Sequence, residues 1–223
     1  TIIKVLYFVI PMTIFLLLLR AHIVRLLLGY GRCDWNCTII TFNTLGILAL
    51  GLVAQSLTPL FARAFYARQN TKTPVAISLT GMLINAVFSY SLAQGLGVVG
   101  IALGFVIAST VQCILLFIYL HRVFKNDSKA SPKSLEVFDS TIVTQSLKIL
   151  LASILLGLAT YATLYVMDPL VNTHTVIGIF LQAGIATTVG SVVYIVATRA
   201  WGILESEAIW RGVLKLWRFI RKQ

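Results

Sequence analysis

The stretch Val98–Leu120, VVGIALGFVIASTVQCILLFIYL, runs for 23 residues without Lys, Arg, Asp, Glu or His. As a helix it is about 35 Å long, enough to cross a hydrocarbon core of about 30 Å. Five more stretches of this kind accompany it: Ile2–Leu19, Ile39–Ser56, Val75–Leu92, Ile142–Val166 and Val176–Thr198. In lipid every backbone polar group must be satisfied within its own segment, so successive apolar spans of this length are helices. The sequence therefore predicts an all-α, polytopic integral membrane helix bundle.

Composition agrees. Of 223 residues 58% are hydrophobic and 11% charged, with mean hydropathy +0.92, against about 25% charged in ordinary soluble domains. A soluble core is excluded. The net charge of +11 has no compact basic domain to carry it, so nucleic acid is not an expected partner and anionic lipid headgroups are. All but three of the 18 Lys and Arg residues fall on one side of the six spans; Arg20, Arg25 and Arg32 fall on the other. The positive-inside rule makes the rich side cytoplasmic, and an even number of spans places both ends there. The start at Thr1, with no initiator Met and no cleavage site after the first span, is read as the interior of a longer polypeptide rather than a signal peptide.

Punctuation divides the chain into four units: spans one to four over 1–124, a polar linker over 125–141, spans five and six over 142–200, and a basic amphipathic tail over 201–223. Pro11 is expected to kink the first span. Arg20–Leu28, ending in Gly29-Tyr30-Gly31, reads as a separate short interfacial helix stopped by glycine. The second span is expected to continue through Pro59 to Tyr66, and Thr73-Pro74 to start the third. Gly81, Asn85 and Ser89 form a small, polar stripe, read either as helix packing with an amide as glue or as an aqueous cavity lined by Asn85. Gln94-Gly95-Leu96-Gly97 predicts a tight turn into a hairpin partner carrying Gly100, Gly104 and Ala108 at spacing four. For Gln55, Gln112 and Gln182 the expected role is hydrogen bonding between helices. In the tail, Trp210 and Trp217 flank an apolar face opposite Arg211, Lys215, Arg218 and Lys222, the pattern of a helix lying on anionic lipid.

Chemistry for catalysis is lacking. None of the seven carboxylates lies in mid-span, and His22, His121 and His174 sit near span ends without a nucleophile partner. There is no phosphate-binding glycine loop for ATP. An enzyme, a metal site and a cofactor are not expected. Cys33 and Cys37 form a disulfide if their loop meets an oxidising compartment, or remain two free thiols.

Particular residues then add a family resemblance. Phe65-Tyr66-Ala67-Arg68-Gln69-Asn70-Thr71-Lys72-Thr73-Pro74-Val75 resembles the signature after the tenth membrane helix of MurJ (MviN), the bacterial lipid II flippase family. Ile10-Pro11, Leu28-Gly29-Tyr30-Gly31 and Gly97-Val98-Val99-Gly100-Ile101-Ala102-Leu103 resemble the same family in the same order. The position of Asn70 is commonly Asp there, and Cys33 stands where an aromatic is usual. The match covers essentially the whole chain and corresponds to helices nine to fourteen of fourteen.

The resemblance implies a fold of the multidrug/oligosaccharidyl-lipid/polysaccharide (MOP) exporter superfamily: two six-helix lobes around a central cavity, plus two extra C-terminal helices bordering a lipid groove. It implies a bacterial inner-membrane flippase for lipid II, the undecaprenyl-linked peptidoglycan precursor, working by alternating access with the N-terminal helices of the same polypeptide. Their apolar character suits spans five and six to a polyprenyl tail, whereas a diphosphate needs cations. Candidate substrate-binding residues are Arg63, Arg68 and Lys72 at the cytoplasmic mouth, and Asn85; the three cations are equally readable as topology-setting charges. Alternatives are an exporter of another polyprenyl-linked saccharide or of a drug, or a non-transporting membrane scaffold fragment.

Overall fold

A computed structural model describes residues 2–28, 35–125, 132–169 and 175–203. They form six helices: α1 (Ile2–Leu28), α2 (Trp35–Ala67), α3 (Lys72–Leu96), α4 (Val98–Lys125), α5 (Pro132–Met167) and α6 (Val176–Ala200). All six are long and apolar enough to cross a membrane. The basic tail from 204 onward, the Gly29-Tyr30-Gly31 loop, Cys33 and His174 lie outside the described residues.

Neighbours follow a simple order. α3 and α4 form a hairpin, α4 lies along α2, α2 along α1, and α1 meets both α5 and α6, which pair with each other. The bundle thus has two groups, α2/α3/α4 and α1/α5/α6, meeting where α1 and α2 touch.

The α2/α3/α4 group is closed by small residues, as their spacing predicts. A side chain at Gly100 would run into the backbone at Leu92, and one at Gly104 into the backbone at Ser89. Gly81 sits against the Gln112 side chain, whose amide donates to Ser78 Oγ at 3.1 Å. A cluster of Ala54, Phe61, Phe65, Ile77, Cys113, Leu116 and Leu120 fills the other end. The turn between α3 and α4 is a single residue, Gly97, at φ 58° and ψ −134°, a region that effectively only glycine occupies.

α1 differs from the sequence reading in one respect. Arg20–Leu28 is no separate interfacial helix but the last turns of α1. The physical reason is plain: between Leu19 and Leu28 stand only residues that helices accept, with no Pro or Gly to break them. Pro11 is accommodated within the same helix. It has no N–H for the carbonyl of Tyr7, four residues earlier, and Tyr194 Oη of α6 donates to that oxygen at 2.7 Å. Tyr7 Oη in turn lies 3.2 Å from Thr198 Oγ1. The rings of Tyr7 and Tyr194 pack at 5.1 Å in a cluster with Leu6, Ile149, Ala152, Leu156 and Ile203. α6 thus supplies the hydrogen bond that the proline removes from α1.

Two helices end alike. Asn70 N–H reaches Phe65 O and Gln69 N–H reaches Tyr66 O, with Gln69 at φ 57°; Ile203 N–H reaches Thr198 O and Gly202 N–H reaches Arg199 O, with Gly202 at φ 64°. Both are Schellman ends. After the first, Asn70 Oδ1 accepts from the backbone and the hydroxyl of Thr73 at 3.2 and 3.1 Å, capping the start of α3. That role needs only a side-chain oxygen, which Asn supplies as well as Asp. Helix also enters the polar linker from both sides, through Lys125 and from Pro132, a residue suited to a first helical turn.

Candidate functional site

Where α1 and α5 end and α6 begins, α1 meets three elements in its last turns. Arg20 reaches across to α2, its guanidinium 3.9 Å from the Phe42 ring centre, in space left by Gly46. His22 Nε2 lies 3.2 Å from Gln182 Oε1 of α6, and Gln182 Nε2 donates to Leu164 O of α5 at 3.1 Å. The amide is therefore fixed in orientation, with its oxygen toward His22, so Nε2 carries the ring proton and Nδ1 is the acceptor of the neutral ring. Nδ1 is buried and has no hydrogen-bond partner.

These groups border a cavity of about 400 Å³. Arg20, His22 and Arg25 enter it from α1 and Gln182 from α6; Tyr161, Tyr165 and Asp168 close it from α5 and the turn after α5. Sharing His22 and Ile179 with it is a second cavity of about 530 Å³ between α1 and α6. Leu19, Ile23, Leu26, Phe180, Ala183 and Gly184 line this cleft. Its three hydroxyl residues, Thr187, Thr188 and Ser191, donate to carbonyls of their own helix, at Ala183, Gly184 and Thr187. The cleft wall is thereby apolar in effect, and His22 and Ile179 stand between it and the charged chamber.

The sequence-predicted site residues lie elsewhere. Arg63, Arg68 and Lys72 are exposed around the α2–α3 turn, at the end of α2 remote from its contact with Arg20. Asn85 is half-buried on α3, where its Oδ1 accepts from Ser89 Oγ at 2.9 Å beside the α4 backbone. The structure brings the first three near one another and keeps Asn85 apart from them. Sequence reasoning missed the group of Arg20, His22, Arg25, Asp168 and Gln182. One signal was present: Arg20 and Arg25 are two of the three cations on the side otherwise depleted of positive charge.

Cys37 is disulfide-bonded and Cys113 is a free, buried thiol. Among the described residues no three of His, Cys, Asp and Glu gather as metal ligands.

Comparison with known proteins supplies the family. Residues 1–182 match the model of the family described as lipid II flippase MurJ. A probable lipid II flippase MurJ of Rhizobium tropici is 33% identical over 118 residues, 53% of this chain and 22% of that protein. The lipid II flippase MurJ of Burkholderia cenocepacia is 26% identical over 112 residues, 50% of this chain and 22% of that protein. The chain thus aligns with about a fifth of the length of these relatives. A solved structure, lipid II flippase MurJ in an inward closed conformation, superposes with a TM-score of 0.65 at 23% identity, covering 88% of this chain and 36% of the other. With six membrane-length helices, this fold and a family match over most of its length, the chain is a multi-pass membrane protein that belongs to the lipid II flippase MurJ family.

Proposed function

We propose that this chain is the C-terminal part of a flippase that moves lipid II from the cytoplasmic to the periplasmic leaflet of the bacterial inner membrane. The observation that carries the reading is the cleft between α1, in the second lobe, and α6, one of the two extra helices, apolar along its wall. A polyprenyl tail needs such a slot and no charge. The disaccharide-peptide headgroup passes instead through a polar interior completed by helices of the same polypeptide that precede α1, by alternating access.

In this reading both ends face the cytoplasm, where Arg63, Arg68 and Lys72 surround the entrance and attract the diphosphate or neighbouring anionic headgroups. Asn85 offers its amide to the headgroup from the α3 face beside α4, and its bond to Ser89 holds the amide in place. Residues 1–124 rock as part of the second lobe, 125–141 act as a cytoplasmic connector, 142–200 border the groove, and 201–223 rest on the inner leaflet.

The test is periplasmic exposure of lipid II in cells depleted of their own flippase. Expression of this chain joined to a family N-terminal portion is expected to restore exposure, and the chain alone to leave it absent. If the joined form inserts stably but exposes no lipid II, the substrate is another polyprenyl-linked saccharide or the chain is a scaffold.

A further inference from the structure

α1 is held to α6 at one end and stands clear of it at the other, with a proline between. We propose that α1 is a lever that bends at Pro11: residues 2–10 stay clasped to α6, residues 12–28 swing with α2, and a latch between His22 and Gln182 sets how far the far ends of α1 and α6 stand apart. The device belongs to the helices themselves and goes beyond the reading of the protein as a flippase.

The clasp follows from a count of protons. Pro11 leaves the Tyr7 carbonyl without an amide, and a carbonyl inside an apolar bundle needs a donor, which is Tyr194 Oη at 2.7 Å. Thr198 Oγ1 lies 2.8 Å from Tyr194 O and 3.1 Å from Ile195 O, both acceptors, so its one proton points to them. Its oxygen therefore accepts from Tyr7 Oη, 3.2 Å away. Tyr7 is thus bound to α6 twice, through its backbone and through its side chain, in opposite directions. Turning this residue relative to α6 strains both bonds together, so the bend sits beyond it.

The joint lies in the next turn. Pro11 removes one bond of the helix ladder, and Thr13 Oγ1 donates to Val9 O at 2.8 Å, a side-chain bond that competes with the ladder and bends helices. Past the joint the fit loosens by steps. A β-carbon at Gly190 of α6 would meet Phe15 at 3.0 Å, one at Gly157 of α5 would meet Ile14 at 3.1 Å, and one at Gly184, six residues along α6 from Gly190, would meet nothing within 4 Å. Beyond that level cavities of about 400 and 530 Å³ lie against α1 on its α5 and α6 side. The polar tie across them runs from His22 Nε2 to Gln182 Oε1 at 3.2 Å, while Arg20 fixes the same stretch of α1 to α2 through Phe42. The far end of α1 therefore follows α2. Leu27 stands about 24 Å from Pro11 along the helix, so a change of about 10° in a proline bend moves it by about 4 Å.

The experiment uses the full-length polypeptide in nanodiscs, with nitroxide labels carried on p-acetylphenylalanine so that native cysteines are spared, and distances read by pulsed electron paramagnetic resonance. One pair of labels, at Phe8 and Val196, reports the clasped end, and a second, at Leu27 and Ile177, the far end; all four positions are exposed. In the wild type the clasped pair is expected to give one narrow distance and the far pair a distribution broader by about 4 Å. Gln182→Leu is expected to raise the ratio of long to short distances in the far pair about fivefold, the effect of one lost interhelical hydrogen bond, with the clasped pair unchanged. Pro11→Ala, which returns an N–H to the Tyr7 carbonyl, is expected to narrow the far pair to the width of the clasped one. The proposal is overturned if the two wild-type pairs are equally narrow, if Gln182→Leu leaves the far pair unchanged, or if Pro11→Ala keeps the far pair broad while the clasped pair stays narrow. Gln182→Leu touches nothing in the clasp, so it decides the question even where Pro11→Ala broadens both pairs through loss of fold. None of these outcomes depends on the lipid carried, and lipid II exposure tests the flippase reading separately.

Discussion

The two helix groups solve the problem of packing in lipid differently. In α2/α3/α4 the helices approach until backbone meets backbone, with Gly100 and Gly104 against Leu92 and Ser89, and the amide of Gln112 is spent on Ser78. In α1/α5/α6 the contact is strong toward the ends of α1 and α6 joined by Tyr7 and Tyr194 and opens toward the other end into the cleft and chamber. Where apolar side chains gain nothing from leaving apolar lipid, close van der Waals fit and interhelical hydrogen bonds hold helices together. A region rich in both is rigid. The region that has them at one end only is the one with room for a ligand.

The largest expected effect breaks the comparison at its tight side. Gly104→Leu would drive a side chain into the α3 backbone and is expected to cost about 3 kcal/mol or more, read as lost folded yield and a lowered unfolding midpoint in detergent. Gly184→Leu, in open space on the cleft, is expected to leave both near wild type. Equal damage from the two would erase the distinction between the groups.

Next in size is the proline-carbonyl lock. Tyr194→Phe leaves the Tyr7 carbonyl with neither its helical nor its tyrosine partner, at an expected cost of about 1–3 kcal/mol. Adding Pro11→Ala returns an N–H to that carbonyl and is expected to recover much of the loss in a double-mutant cycle. Simple additivity of the two changes would mean that the hydroxyl does not stand in for the missing amide.

The way this lock escaped notice shows what the sequence carries. Span number, length and order are written in composition, because a bilayer imposes one length on every crossing. The α3/α4 hairpin is equally legible, since Gly97 and the spacing of Gly100 and Gly104 act locally. Pro11 was visible as a defect, but its remedy stands 183 residues away on α6, and no local rule pairs the two. The chamber is similar: Arg20, His22, Asp168 and Gln182 come from three helix ends that only tertiary packing brings together. Arg20–Leu28 was misread as a separate element for a related reason, because two charges suggested an interface where the chain in fact continues as helix.

Smaller effects sharpen the α2–α3 turn. Asn70→Ala is expected to cost about 1 kcal/mol through loss of the cap on Thr73, and Asn70→Asp to retain it, again by unfolding midpoint. Gln69→Gly is expected to stabilise by about 1 kcal/mol or less, because a β-carbon at positive φ is disfavoured. If glycine destabilises instead, the Gln69 side chain holds something that the turn needs.

The central claim is that the cleft between α1 and α6 carries the lipid chain during translocation. It is tested most directly by the rate of lipid II exposure in the full-length protein bearing Gly184→Trp, which fills the cleft, beside Gly95→Trp, which projects into open space at the end of α3. The account predicts that the Gly184 variant inserts at wild-type levels yet exposes lipid II at least about tenfold more slowly, a barrier increase of about 1.4 kcal/mol, while the Gly95 variant keeps the wild-type rate. A stably inserted Gly184→Trp protein with an unchanged rate would contradict it.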